Sequence, residues 1–278
     1  MFTPGRRMDL DAYFARIAYD GPREPDLRTL AALHRAHLRA IPYENLDVQF
    51  RRPVSLDPAA AFDKIVHGKR GGWCYEMNGL FGAVLAELGF KVTRCAGAVM
   101  RETMGAKAHA NHLVLRVDVE EGVFLADVGF GDGAIDPIFL VTGPFSSHGF
   151  AFSLSRPEEN WWRLHNHKTG GAASFDFQLV AADEAALAER CLWLQSAADS
   201  PFVQNAVLQH HFAEGIWQMR GRVLRKLTPA GDTDYLVESA AEYVGALRDV
   251  FGLNLPEAAD LWPKICARHE EVLKEREA

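Results

Sequence analysis

Segment 70–78, which reads RGGWCYEMN, constrains the fold of this chain more than any other stretch of its sequence. Apolar residues recur after it at spacings of three and four, which predicts one buried face of a helix that starts near Cys74. Gly89 stands where a left-handed residue would end that helix. Free backbone N–H groups and the positive end of the helix dipole would then lie beside the cysteine. This setting favours a thiolate, the form of cysteine that attacks electrophiles, although a small apolar cysteine packed at a helix start is the simpler alternative.

The composition is ordinary for a soluble globular protein, with 48% hydrophobic and 24% charged residues in a chain of 278. A net charge of −7 argues against nucleic acid as the main partner, because such proteins usually carry a basic surface. No apolar run reaches the length of about 18 residues that a membrane span needs. Residues 1–7 lack the apolar region of a signal peptide, so we expect a cytoplasmic protein.

The cysteines and histidines do not form the spaced sets that bind metals. Cys74, Cys95, Cys191 and Cys266 are far apart and include no CxxC pair, which indicates one reactive cysteine among structural ones. Several of the 11 histidines stand close together in the sequence, but none is followed by a second cluster of ligands. The sequence therefore predicts no metal site.

The character of the chain changes twice along its length. Residues 1–90 read as mainly helical, residues 91–190 as short strands separated by turn residues, and residues 191–278 as a mixture of helices and strands. This order predicts an α+β protein with a small antiparallel sheet or barrel in its centre.

A predicted hairpin offers two partners for a cysteine nucleophile. His112 opens one strand and Asp127 lies near the end of the next. If the intervening turn has an even number of residues, both side chains project from one face, directly or diagonally opposed and within hydrogen-bonding reach. A sheet histidine and a surface acid without function are the alternatives. Together with Cys74, the two residues would form a catalytic triad.

Four stretches of the chain are similar to motifs of the arylamine N-acetyltransferases. Segment 70–78 resembles the active-site signature of that family, and segment 41–47 (IPYENLD) resembles its proline–aromatic–Glu–Asn–Leu motif. Segment 111–115 (NHLVL) resembles the strand with the catalytic histidine, and segment 127–131 (DVGFG) the stretch with the catalytic aspartate. A weaker match is segment 200–205.

This resemblance covers nearly the whole chain and implies a three-part fold. An N-terminal helical bundle over 1–90 would carry the nucleophile, a central antiparallel β-barrel over 91–190 would carry the histidine and aspartate, and a C-terminal α/β lid would occupy 191–278. The triad arrangement would be like that of the cysteine proteases.

The resemblance also implies a ping-pong transfer with acetyl-CoA as co-substrate and no metal. Cys74 would become acetylated, His112 would move the proton, and Asp127 would orient His112. The acceptor would be a small aromatic amine, a hydrazine or an arylhydroxylamine. No nucleic-acid or membrane partner is expected, and a homodimer is one state that the prediction allows.

Residues inside the matched motifs are candidates for the substrate pocket. Tyr43, Tyr75 and Phe130 are predicted pocket walls, with Gly129 beside them, and Trp193 is the candidate for the CoA side. Core packing is the alternative for each aromatic residue.

The chain departs from the common family pattern at four positions, Tyr43, Trp73, Met77 and Asn111. These departures would change the shape of the acceptor pocket more than the chemistry of the triad. The same triad also suits a related amide synthase, a transferase of longer acyl groups, or a thiol hydrolase or transglutaminase-like enzyme. A binding protein with a vestigial site is the alternative outside the enzymes.

Overall fold

The computed structural model describes residues 8–277, so the predicted lack of a signal peptide, which concerns residues 1–7, lies outside the described residues. The α-helices are α1 (Leu10–Arg16), α2 (Leu27–Ala40), α3 (Leu46–Gln49), α4 (Pro58–Phe62), α5 (Cys74–Glu87), α6 (Arg101–Met104), α7 (Glu184–Ser196), α8 (Pro201–Gln204), α9 (Ala240–Asp249) and α10 (Trp262–Glu277). A π-helical turn (Asp63–His67) follows α4, and 3-10 turns (Gly105–Ala108 and Pro256–Leu261) follow α6 and precede α10. Within this range, every helix is too short or too polar to span a lipid bilayer.

The strands are antiparallel to their neighbours and fall into two sheets. They are β1 (Tyr43–Glu44), β2 (Lys91–Val99), β3 (His112–Val119), β4 (Gly122–Ala126), β5 (Ile138–Phe139), β6 (Gly143–Ser147), β7 (Phe150–Glu158), β8 (Trp161–His165), β9 (Ser174–Phe177), β10 (Val207–Phe212), β11 (Gly215–Arg220), β12 (Val223–Thr228) and β13 (Gly231–Leu236). The mixed α and β composition confirms the coarse prediction of the fold class.

Helix α5 begins and ends where the sequence pattern predicts. Trp73 has an extended backbone and stands before the first turn, and the Glu76 carboxylate accepts a hydrogen bond from its N–H at 3.2 Å. Gly89 has a φ of +91°, a left-handed conformation that glycine adopts without strain. Cys74 is thereby fixed at the first helical position.

The larger sheet has eight strands in the order β5-β4-β3-β2-β9-β8-β7-β6. Within the described residues, no hydrogen-bonded pairing joins the end strands β5 and β6. Strand β5 pairs only with β4, and β6 pairs only with β7. The predicted antiparallel sheet or β-barrel is therefore confirmed in part, as a curled antiparallel sheet that forms a half-barrel. Its β3 and β4 pack against α5 and the other N-terminal helices in one apolar core.

The smaller sheet joins distant parts of the sequence in the order β1-β10-β11-β12-β13. Strand β1 comes from the N-terminal part, where Tyr43 pairs with Gln209 and Glu44 with Leu208 of β10. The predicted boundary at residue 190 falls within α7. The division into 1–90, 91–190 and 191–278 stays a prediction.

A buried apolar cluster surrounds Cys74 at the junction of these parts, and we call it the site cluster. Its buried members are Tyr43, Val48, Trp73, Cys74, Tyr75, Ala110, Leu113, Leu187, Cys191 and Leu194. They come from the N-terminal helices, the segment around β3, and α7. The nucleophile candidate therefore sits where all three regions pack together.

A network of buried ion pairs holds segment 41–47 against the turn before α5. Lys64 Nζ lies 2.8 Å from Asp47 and 2.9 Å from Glu76, and Arg70 lies 2.7 Å from Glu44 and 3.1 Å from Asp47. The Glu44 side chain is fully buried. Two cations thus pair with three carboxylates that would otherwise be costly to bury, and burial raises the pKa of Glu76, one of the three, to about 7.

Replacing Lys64 with methionine is expected to lower the free energy of unfolding by about 3–5 kcal/mol, because the carboxylates of Asp47 and Glu76 would lose their shared cation in a buried site. Urea unfolding measures the change. The matched control is Lys91→Met, whose ion pair with Asp118 is exposed and should contribute less than about 1 kcal/mol. Equal losses in both variants would show that burial of the network does not matter.

Candidate active site

His112 and Asp127 meet across the hairpin formed by β3 and β4. Val119 pairs with Gly122, so a two-residue turn joins the strands, and Asp127 lies diagonally across from His112. The His112 Nε2–H donates to the Asp127 carboxylate at 2.7 Å. The register thus brings together the two side chains that the sequence pattern places on one face.

The His112 ring is enclosed by aromatic side chains and by a glycine. It is 2% exposed, and its ring centroid lies 5.0 Å from that of Phe175 and 5.6 Å from that of Phe130. Gly97 lies opposite on β2, where a Cβ atom would approach the His112 Cβ to 3.1 Å. The absent side chain leaves room for the imidazole.

Charges in the hairpin stabilise the imidazolium. Burial by itself lowers the pKa of His112, but the Asp127 charge and hydrogen bond, with the adjoining Cys74 thiol, raise it to about 10. Burial raises the pKa of Asp127, but the His112 charge and hydrogen bonds from His112, Asn78 and the Gly129 N–H lower it below its usual value. The pair is therefore imidazolium and carboxylate at neutral pH.

Cys74 completes the arrangement from the start of α5, where it is 4% exposed. Because Nε2–H of His112 donates to Asp127, Nδ1 is the ring nitrogen that remains for the thiol. The N–H groups of Cys74 and Tyr75 have no acceptor within the helix. A thiol, an imidazolium and helix-start N–H groups thus lie in one buried site, an arrangement that can support nucleophilic catalysis with a stabilised oxyanion.

Asn78 orients Asp127 from the same helix, although the sequence interpretation gave it no role. Its Nδ2 donates to the Leu113 carbonyl at 2.6 Å and to Asp127 Oδ1 at 2.7 Å, and its Oδ1 accepts from the Val128 N–H at 2.9 Å. The spacing of four residues from Cys74, which places both on one helix face, was the available signal.

Gly129 lies against the start of α5, which is a packing role next to the candidate nucleophile. A Cβ atom at Gly129 would lie 2.7 Å from Cys74 Cα and 2.7 Å from Asn78 Nδ2. Its N–H donates to Asp127 Oδ1 at 2.9 Å. The glycine allows the segment after β4 to touch the helix backbone.

Replacing Gly129 with alanine is therefore expected to lower the free energy of unfolding by about 1–3 kcal/mol, and to lower any activity by on the order of 10²-fold because Cys74 and Asp127 move apart. Unfolding curves and turnover assays measure the two effects. Gly133→Ala in the same segment is the control, since its Cβ would come no closer than 3.4 Å to Phe130. Parent-like behaviour of Gly129→Ala would contradict the close packing.

The two predicted tyrosines differ in how their hydroxyl groups are used. Burial, followed by the nearby Cys74, raises the pKa of Tyr43 well above its usual value. The Tyr75 hydroxyl donates to the Ala110 carbonyl at 2.6 Å, and its side chain is fully buried. Tyr43 thus keeps a protonated hydroxyl in the site cluster, whereas the Tyr75 hydroxyl binds the chain before β3.

Phe130 and Trp193 pack against different apolar clusters, and only Trp193 packs against the site cluster. Phe130 is partly buried, with its ring centroid 4.8 Å from that of Phe175. Trp193 on α7 is partly buried against the site cluster, and the Arg190 guanidinium lies 5.1 Å from its ring centroid. Phe130 is therefore next to His112, whereas Trp193 carries a positive charge over its ring.

Asp132 is a further buried carboxylate in this segment that the sequence interpretation missed. It accepts hydrogen bonds from Asn166 at 3.1 Å, from the Gly171 N–H at 2.5 Å and from Gln218 at 2.6 Å. These partners come from the turn between β8 and β9 and from β11. Since they are distant in the sequence, no local pattern could have indicated the contact.

No group of three or more His, Cys, Asp or Glu side chains is arranged to hold a metal ion within the described range 8–277. This finding concerns the arrangement of side chains only. That the reaction needs no metal stays a prediction.

Comparison with known proteins points to one group of enzymes. A profile of the N-acetyltransferase family matches residues 26–260. The chain is 34% identical to an arylamine N-acetyltransferase of Mycolicibacterium smegmatis over 284 positions, which covers 96% of this chain and 98% of that protein. It is 32% identical to the pineal gland isozyme NAT-3 of Gallus gallus, over 79% of this chain and 83% of that protein.

Solved structures agree with these sequence relatives. The arylamine N-acetyltransferase of Mycobacterium marinum in complex with CoA superposes with a TM-score of 0.84 at 32% identity, covering 94% of this chain and 98% of that one. The M. smegmatis enzyme superposes with a TM-score of 0.84 at 33% identity, covering 93% of this chain and 97% of that one. The similarity therefore extends over nearly the full length in both sequence and fold.

Proposed function

The chain belongs to the arylamine N-acetyltransferase family of enzymes, and on that premise we propose that it transfers an acetyl group from acetyl-CoA to an arylamine, a hydrazine or an arylhydroxylamine. The observation that carries the proposal is the convergence of a helix-start cysteine, an imidazolium and a carboxylate at one buried site. The catalytic residues of this proposal are Cys74, His112 and Asp127.

In the first half-reaction, the Cys74 thiolate attacks the thioester carbonyl of acetyl-CoA. The oxyanion that forms accepts hydrogen bonds from the free N–H groups at the start of α5. When the tetrahedral intermediate collapses, the bond to the CoA sulfur breaks, and the proton of the His112 imidazolium passes to that sulfur. The products are CoA with a free thiol and an acetyl-cysteine enzyme, with His112 left neutral.

In the second half-reaction, the acceptor amine attacks the acetyl-cysteine carbonyl. Neutral His112 takes a proton from the nitrogen, and the Cys74 sulfur leaves as a thiolate beside the re-formed imidazolium. Asp127 keeps the ring oriented through its hydrogen bond of 2.7 Å and stabilises the positive form in both steps. The thioester preserves the activation of the acetyl group until the amine arrives.

The substrate walls that we propose are Tyr43 and Phe130, with Tyr75 and Gly129 supporting them. Phe130 lies beside His112 and offers an aromatic face to a flat amine. Tyr43 belongs to the site cluster around Cys74, and its protonated hydroxyl can bond to a polar substituent of the acceptor.

For the CoA side we propose Trp193, because Arg190 above its ring adds a positive charge that suits a phosphate group. A relative with the same fold has been solved in complex with CoA, which supports CoA thioesters as donors for this chain.

We retain three further elements of the sequence interpretation as part of the proposal. The C-terminal region acts as a lid over the site, the protein works in the cytoplasm, and a homodimer is compatible with the activity. The first is supported by the pairing of β1 with β10, which ties the C-terminal sheet to the segment beside Cys74.

Intact-mass measurement tests the proposal. Incubation with acetyl-CoA alone should add one acetyl group, which peptide mapping should locate on Cys74, and an added arylamine should remove it. If no adduct forms with acetyl-CoA but one forms with a longer acyl-CoA or a polyketide-type thioester, the donor part is wrong. If no thioester acylates Cys74, the transferase proposal as a whole is wrong.

A further inference from the structure

A second histidine contacts the segment that carries Asp127. His34 lies on α2 and is 1% exposed. Its Nε2 lies 3.1 Å from the backbone nitrogen of Asp127, and its Nδ1 lies 2.8 Å from the carbonyl oxygen of Ile135. One imidazole therefore bonds to both ends of segment 127–135.

These two partners define the protonation of His34. A backbone N–H can only donate, so Nε2 must be unprotonated, and a carbonyl can only accept, so Nδ1 must carry the hydrogen. The ring is thus neutral and in a single tautomer. Burial, as the largest effect, lowers the pKa of His34 below its usual value, although the Ile135 carbonyl and the charges of Asp127 and Asp136 oppose the shift.

The segment that His34 bridges contains much of the candidate site. It carries the Asp127 carboxylate, and Gly129 and Phe130 follow. Since the hydrogen bond between Asp127 and His112 is 2.7 Å long, a small displacement of the Asp127 backbone would lengthen it. A bond to the Asp127 N–H resists that displacement.

We infer that His34 is a positioning residue, which fixes segment 127–135 at both ends and so holds Asp127 in place for His112. Its role in the reaction rests on the proposed function, whereas the tautomer and the bond to Asp127 do not. The side chain acts through Asp127 and touches no substrate.

Two variants of His34 separate this role from general packing. His34→Leu removes both hydrogen bonds, and it should lower kcat by on the order of 10²-fold with little change in the KM for the amine. His34→Gln supplies an uncharged amide with one acceptor and one donor, and should recover most of the lost rate. Rescue by the amide but not by the apolar residue is the signature of positioning.

His37 provides the matched control, because it lies one turn further along α2 and is fully buried. Both rings pack against Phe81, with centroid distances of 5.8 Å for His34 and 5.4 Å for His37. His37 bonds to the Tyr13 hydroxyl at 2.8 Å and not to segment 127–135. His37→Leu should therefore lower the melting temperature as His34→Leu does, without the loss in kcat.

Two measurements on the protein without substrate complete the test. The ¹⁵N chemical shifts of His34 in the parent should show hydrogen on Nδ1, and hydrogen exchange at the Asp127 amide should be slow in the parent and fast in His34→Leu. A parent that accepts no acetyl group would contradict the proposed function, while these two measurements would still decide the role of His34.

The inference is overturned by hydrogen on Nε2 of His34, by unchanged Asp127 exchange in His34→Leu, or by a kcat equal to that of the parent in that variant. If His34→Leu does not fold, the parent tautomer and the kcat of His34→Gln decide instead. Hydrogen on Nδ1 of His34 in the parent, together with a near-parent kcat of His34→Gln, supports the role. Hydrogen on Nε2 of His34 in the parent refutes it.

Discussion

Replacing Cys74 with serine is expected to lower the rate of acetyl transfer by about 10⁴-fold or more, and to abolish the acetyl adduct on intact protein. An alcohol at this position keeps the size of the side chain but ionises far less readily than a thiol, so the imidazolium of His112 no longer faces an anionic nucleophile. Binding and the backbone donors would remain, so a residual rate above the uncatalysed reaction is expected.

Cys266→Ser is the control for this substitution. Cys266 lies on α10, is partly exposed and takes no part in the site cluster, so its variant should keep the adduct and the rate of the parent. Acetyl transfer by Cys74→Ser at more than a tenth of the parent rate would rule out an acetyl-cysteine intermediate at this residue. Both variants should have the melting temperature of the parent, which separates lost chemistry from lost structure.

The parts of the fold that the sequence predicts are those in which neighbouring residues determine the structure. Helix α5 follows from its apolar spacing and from Gly89, and the hairpin of β3 and β4 follows from alternation around a short turn. The pairing of β1 with β10 could not be foreseen, because a two-residue strand shows no periodicity and its partner is far along the chain.

In the site, residue types and spacing led to Cys74, His112 and Asp127, and the structure brings His112 and Asp127 into hydrogen-bond contact. The supporting residues were harder to predict. Asn78 had a helical spacing that could have indicated it, whereas His34 reaches Asp127 only through the packing of α2 on segment 127–135. Such contacts between distant elements leave no mark in a single sequence.

Replacing Asp127 with asparagine is expected to lower the transfer rate by about 10⁴-fold while the fold persists. The amide has nearly the same shape as the carboxylate, but it carries no charge, and the pKa of His112 then falls because burial is no longer opposed by Asp127. An amide NH₂ group facing Nε2 would also favour the opposite tautomer of the ring. His112 would then neither stabilise a thiolate nor present the correct nitrogen to it.

Titration of the His112 ring by ¹H–¹⁵N NMR across about pH 5 to 9 shows this change directly. In the parent, the raised pKa of His112, about 10, keeps both ring nitrogens protonated over the whole range. In Asp127→Asn, the pKa of His112 falls, so the ring should lose a proton within this range. Asp132→Asn, which changes another buried carboxylate of the same segment, should keep the protonated ring of the parent. A ring that stays protonated in Asp127→Asn would mean that Asp127 does not maintain the charged form of His112, and the triad would then lack its orienting acid.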